Sequence, residues 1–266
     1  MITALFLAVA ATASAQDDDE KLKPEEPDFN LSALPTSLRL PKFKSAFRVT
    51  HRFTESLNPP EGSDFGDVVS NLFGLDSGAV IALEYRFGIV KNGQIGIHRS
   101  SDGKTIEFFG EYGVIRQGPG RPVDVSAWVS IDGTDNFQDS YSPAIGAIIS
   151  RSIGERAAFY IHPVWVNNSN PLPSELIDHN NTFVVGLGAR VLIRPTVSLF
   201  VEAAPRASGY APATAHGAFG IEKRVGGHLF QLTFTDSFAT TWGQLARGGP
   251  SGDDWYLGFT ISRKFF

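Results

Sequence analysis

The chain has 266 residues, a formal net charge of −5, no cysteine and a single methionine at its start. The lack of cysteine excludes disulfides, a thiol nucleophile, a lipid-anchoring thiol and cysteine-ligated metals. This length suits one large all-β domain or two small domains, so the fold class has to come from the residue pattern.

The first segment, residues 1–15, has the features of a secretory signal peptide. It is uncharged, apolar from Ala4 to Ala11, and ends with small residues before Gln16, which fits the rule for signal-peptidase cleavage. A membrane-spanning helix needs about 20 apolar residues, and no segment of this sequence qualifies. A membrane location would therefore require a barrel, because only helices and closed barrels satisfy all their backbone groups in hydrocarbon.

Residues 16–44 form an acidic, proline-rich stretch. Within it, Asp17 to Asp28 holds seven acids and two lysines, and 2 − 7 = −5 accounts for the whole net charge. We predict a disordered periplasmic segment, with the binding of a basic partner as the alternative. The remaining charges balance and form no basic stripe, which argues against nucleic acid as a partner.

From Ser45 to Phe266 the sequence predicts one domain of short strands separated by turn residues. We count about twelve strands, in line with the even numbers of bacterial barrels. Most reach the 9 to 11 residues, roughly, that cross a bilayer at a tilt. The expected strands are 45–53, 79–88, 94–99, 104–115, 123–131, 144–153, 156–166, 182–193, 196–206, 215–224, 228–235 and 254–265.

The connections between these strands alternate in length. With the N-terminus in the periplasm, the even-numbered connections, such as 154–155 and 194–195, are short and indicate periplasmic turns. Most odd-numbered connections, including 54–78, 132–143 and 236–253, are longer, and only 100–103 is short. This alternation is typical of an up-and-down antiparallel transmembrane β-barrel with external loops.

The two faces of the strands differ in polarity. Outward sets such as Ile81, Leu83, Tyr85 and Phe87 are apolar, whereas the opposite faces carry charges and glycines. A soluble barrel would bury its apolar face inside, so the inverted polarity indicates a membrane barrel. The charged candidates for the lumen are Arg48, Arg52, Glu84, Arg86, Glu107, Glu111, Arg190, Glu202, Glu222 and Lys264.

The last strand alternates large apolar with small or polar side chains and stops on an aromatic residue. Outer-membrane barrels commonly end this way, and we expect the barrel-assembly machinery to engage this strand. Aromatic side chains near strand ends are expected at the membrane interface. These candidates are Phe53, Phe87, Trp165, Trp255, Phe265 and Phe266.

The sequence contains no nucleotide-binding loop, zinc-type His-Glu pair or glycine-flanked serine, so we predict no cofactor and no catalytic residue. Six histidines occur without the paired spacing of metal sites. Residues 132–136 resemble a fragment of a calcium loop without its closing glutamate, so a solvated external loop is the preferred interpretation. A hydrolase would need a serine beside a histidine, with His98 or His162 as base, and is the least favoured alternative.

The first long connection, 54–78, contains a short amphipathic stretch. Residues 65–75 could form one or two helical turns with Val68, Val69, Leu72 and Phe73 on one side. A loop of this length often has a function. It could fold into the barrel mouth as a constriction or lie on the membrane interface.

Several fragments occur in an order that resembles a known family. They are His51-Arg52-Phe53, residues 71–76, Leu83-Glu84-Tyr85, residues 95–101, residues 226–232 and residues 259–263. Together they resemble an uncharacterised family of bacterial outer-membrane β-barrel proteins, known only as a domain of unknown function. The resemblance spans about residues 45–266 and implies the fold and the outer membrane of a Gram-negative cell, with the lipid bilayer as partner. It implies no activity.

The inward charges are the best indication of function. Opposed charges across a lumen can select permeants, and we therefore favour a porin-like channel or passive uptake pathway for small solutes, with the 54–78 loop controlling access. The same charges could instead form ion pairs that fill a sealed barrel whose external loops bind a partner. Strand number does not decide between the two, because barrels of 8 strands are filled and those of about 16 are open.

Overall fold

The computed structural model describes residues 26–58, 65–75, 78–170, 179–211, 215–248 and 254–265. The expected signal peptide, residues 1–15, and Phe266 lie outside these ranges. Within them, no helix is both long enough and apolar enough to cross a membrane.

The described residues form strands connected by turns and short helices. The strands are β1 (Ser45–Ser56), β2 (Ala79–Val90), β3 (Gly93–Ser100), β4 (Ile106–Ile115), β5 (Asp124–Gly133), β6 (Asp139–Ile153), β7 (Ala157–Asn167), β8 (Asn181–Arg194), β9 (Val197–Ala204), β10 (Arg206–Gly209), β11 (His216–Val225), β12 (His228–Thr235) and β13 (Tyr256–Phe265). The α-helices are α1 (Phe65–Ser70), α2 (Thr134–Phe137) and α3 (Trp242–Arg247), and 3₁₀ turns span Leu72–Gly74 and Asp102–Lys104.

The strands close into one antiparallel barrel. The ring closes where β1 pairs with β13, Ser45 lying opposite Phe265 and Arg52 opposite Gly258. Strand β10 continues β9 along the same neighbour, β8, after an interruption at Pro205. Counted as one bent strand, β9 and β10 bring the total to twelve, which confirms the predicted fold class and strand number.

One end of the barrel carries the short turns, 91–92, 154–156, 195–196 and 226–227, and we take this end as periplasmic. The 132–143 connection differs from the expected long loop, because β6 begins at Asp139. The tight turn at α2 places Asp135 and Asn136 in the left-handed region. It is stabilised by Phe137, whose ring lies 5.2 Å from that of Phe108 and 5.0 Å from that of Tyr141.

The exposure of the wall residues confirms the inverted polarity. Outward side chains such as Leu83, Ile145 and Val201 are exposed by 43%, 58% and 53%. Their inward neighbours, among them Glu84, Ala144 and Glu202, are buried. The hydrocarbon therefore faces an apolar surface, and the charges face the interior.

This arrangement predicts a cost for charge that depends on depth in the membrane. Leu83 lies in the middle of β2, and Ile89 lies on the same face near the periplasmic end. Leu83→Arg should destabilise the folded barrel by about 2–4 kcal/mol, and Ile89→Arg by about 0–1 kcal/mol. Urea titration of both variants in phospholipid vesicles measures the difference. Equal costs at the two positions would contradict the assigned membrane position.

The filled lumen as candidate functional site

Two segments of the chain lie inside the barrel. The inner hairpin, residues 26–40, enters from the periplasmic end, and the outer segment, residues 236–248, folds in from the opposite end. Leu31, Leu34 and Ala246 are completely buried. For residues 26–40 this corrects the expected disordered periplasmic segment. The acidic run ends at Asp28, and the apolar side chains that follow it are buried inside the barrel.

The inner hairpin is a tight turn held by its own backbone. The amide of Leu31 donates to the carbonyl of Leu34, and the amide of Thr36 donates to the carbonyl of Phe29, each at 2.8 Å. Near its two ends, Lys264 donates to the carbonyl of Pro27 and Arg39 pairs with Asp124 at the start of β5. Both arms therefore lie at the periplasmic end, and the turn reaches the middle of the barrel.

The tip of the inner hairpin is bound by the carboxylate of Glu202 on β9. The amides of Ser32, Ala33 and Leu34 donate to this carboxylate at 2.9, 2.8 and 3.1 Å. His216 lies 2.8 Å from the same carboxylate through Nε2. Because hydrogen bonds to an ionised group are stronger than neutral ones, Glu202 is the main anchor of the tip.

Asn30 joins the inner hairpin to three charged wall residues. Its side-chain amide donates to Glu84 at 3.1 Å and accepts from Arg86 at 2.9 Å. Its carbonyl accepts from Arg190 at 3.0 Å, and Arg190 also bonds Glu222 at 3.1 Å. The predicted lumen charges thus bind the backbone and side chains of the inner hairpin.

Arg52 links the inner hairpin to the outer segment. Its guanidinium donates to Ser32 Oγ at 3.0 Å and to the carbonyls of Ser237 and Ala239 at 2.9 and 2.6 Å. One buried side chain therefore holds both segments where they meet.

The outer segment is fixed to the wall near the external end. Helix α3 begins after Thr241, whose hydroxyl accepts from the amide of Gln244 and donates to Asp132. Arg247 bonds the other Asp132 oxygen at 2.9 Å, and Arg206 donates to the carbonyl of Leu245 at 2.7 Å. The sequence pattern of alternating strands carries no indication of these contacts.

One side of the interior is apolar. Leu34 of the inner hairpin packs in a cluster with Trp242 and Leu245 of α3 and with inward wall residues of β4 to β8. In that wall, Phe109 stacks on Trp128 with ring centroids 4.9 Å apart. These apolar inward side chains explain how a predominantly polar wall can hold the leucines of the inner hairpin.

Inward glycines make room for the inner hairpin. A Cβ at Gly188 would lie 2.3 Å from Leu31 Cδ1, and a Cβ at Gly88 would lie 2.2 Å from the carbonyl oxygen of Pro41. Any larger residue at Gly88 would therefore collide with backbone. The glycines of the wall thus allow the inner hairpin and Pro41, which follows it, to approach the strands closely.

The structure places all ten predicted lumen charges in the interior, where none is more than 8% exposed. Several of their atoms nevertheless have no hydrogen-bond partner in the described part of the chain. They include Arg48 Nε and Nη1, Glu107 Oε1 and Glu111 Oε1.

The described residues of the 54–78 loop do not form a constriction, which corrects one of the two expectations for it. In its described part, the Leu72–Gly74 turn contacts the outer ends of β1 and β13, and Leu72 and Phe73 are exposed. The outer segment occupies the barrel mouth instead. Beside α3 lies a cavity of about 350 Å³, lined by Asp102, Gln244 and Arg247 among others.

The predicted interface aromatics have different environments. Trp165 and Phe265 are exposed by 40% and 45% near opposite ends of the barrel. Phe87 and Trp255 are half-buried. Phe53 is only 6% exposed, which differs from the expected position at the membrane interface, because its ring packs against His51 and Phe259. Phe266 lies outside the described residues, and the interface role of the other residues stays a prediction.

The two histidines considered as catalytic bases contact other groups. His98 Nε2 lies 2.9 Å from Thr240 Oγ1, and His162 Nε2 lies 2.6 Å from the carbonyl of Pro35. A serine does lie beside His216, with Ser237 Oγ 2.9 Å from Nδ1, but Ser237 is buried at 4% exposure. Within the described ranges, no group of three acids or histidines is placed to bind a metal ion.

Comparison with known structures shows the same kind of barrel in porins. A KdgM porin in complex with disordered oligogalacturonate superposes with a TM-score of 0.54 and 4% identity, covering 83% of this chain and 99% of that one. A NanC porin superposes with a TM-score of 0.54 and 9% identity, covering 83% of this chain and 100% of that one. At these identities the likeness shows the fold alone. Among curated proteins, no sequence matches this chain.

A family model gives a more specific relationship than the fold shared with the porins. The model described as "Membrane bound beta barrel domain (DUF5777)" matches residues 30–265. The match therefore includes the tip of the inner hairpin as well as every strand, and starts upstream of the resemblance seen in the sequence. With the closed twelve-stranded fold, it establishes that the chain belongs to this family of membrane-bound β-barrel domains and is a β-barrel of the outer membrane.

Proposed function

We propose that the barrel is a passive pathway for small solutes across the outer membrane, closed at rest by the inner hairpin and the outer segment. The observation that carries the proposal is the way the inner hairpin is attached. In the described part of the chain it forms no β-ladder with the wall, and its only β-bridge is internal, between Asn30 and Pro35. It can therefore leave the lumen without breaking a strand pair.

The polarity of the wall supports opening. Moving the inner hairpin would expose Glu84, Arg86, Arg190 and Glu202 to water, which solvates charged groups well. It would also hydrate Glu107 Oε1 and Glu111 Oε1, which have no hydrogen-bond partner among the described residues. Water would thus replace many of the hydrogen bonds that opening breaks, so the inner hairpin would act as a displaceable plug.

The charges also suit selection of solutes in the open state. The basic residues Arg86 and Arg190 lie on β2 and β8. The acidic residues Glu111 and Glu202 lie on β4 and β9. In the open state, these charges of both signs would line the pore and discriminate among polar permeants. Small polar solutes are therefore the class of permeant we propose.

The alternative is a sealed barrel that acts through its external loops. The completely buried interior favours it, because a lumen filled this closely conducts nothing unless the filling moves. The two functions are separated by testing whether movement of the inner hairpin is required for solute flux.

A reversible covalent lock performs this test. Ser37 Oγ of the inner hairpin lies 2.6 Å from Ser150 Oγ on β6, and the chain has no native cysteine. In proteoliposomes, oxidised Ser37→Cys/Ser150→Cys protein should reduce glucose influx to the background of protein-free vesicles, and reductant should restore the wild-type rate. Each single-cysteine variant is the control and should behave as wild type in both conditions. Equal influx with the lock closed and open would refute gating by the inner hairpin.

A further inference from the structure

The charged side chains on the outside of the barrel are distributed unequally between its two ends. At the periplasmic end, nine Lys and Arg side chains are exposed, at positions 42, 91, 116, 121, 151, 156, 194, 223 and 263. Glu155 is the single exposed acid at that end among the described residues. At the other end, the exposed charges of the described part are four aspartates, 67, 102, 135 and 139, against Lys104.

Three of the basic residues lie on the lipid-facing wall at the same height. Arg151, Lys223 and Arg263 each stand two residues before the periplasmic end of their strands, β6, β11 and β13. Each alternates with buried inward neighbours, such as Glu222 and Ser262, and is itself exposed. These three residues form what we call the basic collar.

No acidic side chain of the described ranges forms an ion pair with the basic collar. Each of the three bases instead lies beside an aromatic ring. Arg151 is paired across the sheet with Phe159, Lys223 with Phe230, and Arg263 lies over Phe265 at 5.2 Å. Long basic side chains with an apolar stem and a neighbouring aromatic ring extend to the membrane interface, where lipid phosphates provide the counter-charge.

The surface next to Lys223 has space for an acyl chain. A lipid-facing groove of about 390 Å³ is lined by Lys223 and by apolar side chains that include Ile221, Phe230, Leu232 and Phe259. Lys223 and its cross-strand partner Phe230 lie near the periplasmic turn, and Ile221, Leu232 and Phe259 continue toward the membrane centre along β11, β12 and β13. A headgroup at Lys223 would therefore place its acyl chain along the groove.

We propose that the basic collar binds anionic phospholipids of the periplasmic leaflet, with one lipid seated at Lys223 and its chain in the adjoining groove. Attraction between a Lys or Arg and an anionic membrane surface is worth roughly a five-fold gain in affinity for each residue. The collar holds the barrel at a defined height and orientation, and this role is independent of solute flux.

Electron spin resonance of spin-labelled lipids tests the proposal on the full-length barrel in phosphatidylcholine vesicles. Spin-labelled phosphatidylglycerol should associate with the wild-type protein several-fold more strongly than spin-labelled phosphatidylcholine, and high salt should reduce the preference. Arg151→Gln/Lys223→Gln/Arg263→Gln should reduce it several-fold, with the six other exposed bases of the periplasmic end left in place. Lys104→Gln, which removes an exposed base at the opposite end, is the matched control and should preserve it.

A second variant tests the groove separately from the charges. Leu232→Trp, which fills the groove with a larger apolar side chain, should reduce the motionally restricted fraction of both labelled lipids. An undiminished phosphatidylglycerol preference in the triple variant would overturn the proposal. So would a preference that is absent from the wild type and emerges only after deletion of residues 16–25, because the acidic segment would then occupy the basic collar.

Discussion

Deleting residues 26–40 is expected to raise glucose influx through the reconstituted barrel by about ten-fold or more. A pathway that is open for a small fraction of the time would become open nearly all the time, because its filling is gone. The deletion also removes Leu34 from its packing against Trp242 and Leu245, and it leaves Arg52 bound only to the outer segment. The outer segment would then lose the side chains of the inner hairpin that pack against it.

The deleted barrel should still fold, because the inner hairpin contributes no strand to the closed sheet. Buried charges such as Arg190 and Glu222 would be solvated by water entering the lumen, which avoids the cost of a buried unpaired charge. Heat-modifiable migration in gels is the check that the variant is a barrel. The expectation fails if the deletion variant folds as a barrel and its glucose influx stays at the wild-type rate.

Glu202→Gln is expected to weaken docking of the hairpin tip by about 3 kcal/mol, which is roughly a 100-fold shift in the docking equilibrium. The carboxylate accepts from three backbone amides, whereas the amide of glutamine has one acceptor oxygen and turns two N–H donors toward those amides. The change preserves side-chain size, so the barrel wall should be unaffected.

Hydrogen exchange of the Ser32, Ala33 and Leu34 amides measures this weakening directly. Protection should fall by about 100-fold in Glu202→Gln, in keeping with the docking free energy. Glu107→Gln is the matched control, because Glu107 is also a buried inward glutamate but has no hydrogen bond to the inner hairpin. Equal loss of protection in both variants would show that Glu202 has no special role at the tip.

The barrel itself is predictable from the sequence because lipid and lumen impose a period of two on every strand. The exposed Leu83 and buried Glu84 follow that rule, and so does β13, where Ile261 is exposed and Thr260 and Ser262 are buried. Strand ends differ by a few residues from the pattern, most at β6, where the turn at α2 extends the hairpin beyond the expected start.

The filling of the lumen could not be predicted in the same way. The inner hairpin has no regular secondary structure, and its partners are remote in sequence, with 170 residues separating Ser32 from Glu202. A signal was nevertheless present, because Leu31, Leu34, Leu38 and Leu40 follow the acidic run and have too much apolar surface for a solvated tail. The sequence indicated which charges face inward, but it did not indicate that they bind the inner hairpin.

The outer segment escaped prediction for a related reason. Asp132 and Arg247 are 115 residues apart, and neither belongs to a recognisable motif. The close approach of α3 to Asp132 depends on Gly243, where a Cβ would lie 2.2 Å from a carboxylate oxygen. Only the closed barrel brings these residues together.

Single-channel recording of the wild-type and the 26–40 deletion proteins in planar bilayers tests the central claim most directly. We predict brief openings of the wild-type protein with the same unit conductance as the long-lived openings of the deletion variant, because both would use the same lumen. A deletion variant that folds as a barrel but stays electrically silent, or a wild-type conductance unrelated to that of the deletion variant, would contradict a solute pathway closed by the inner hairpin.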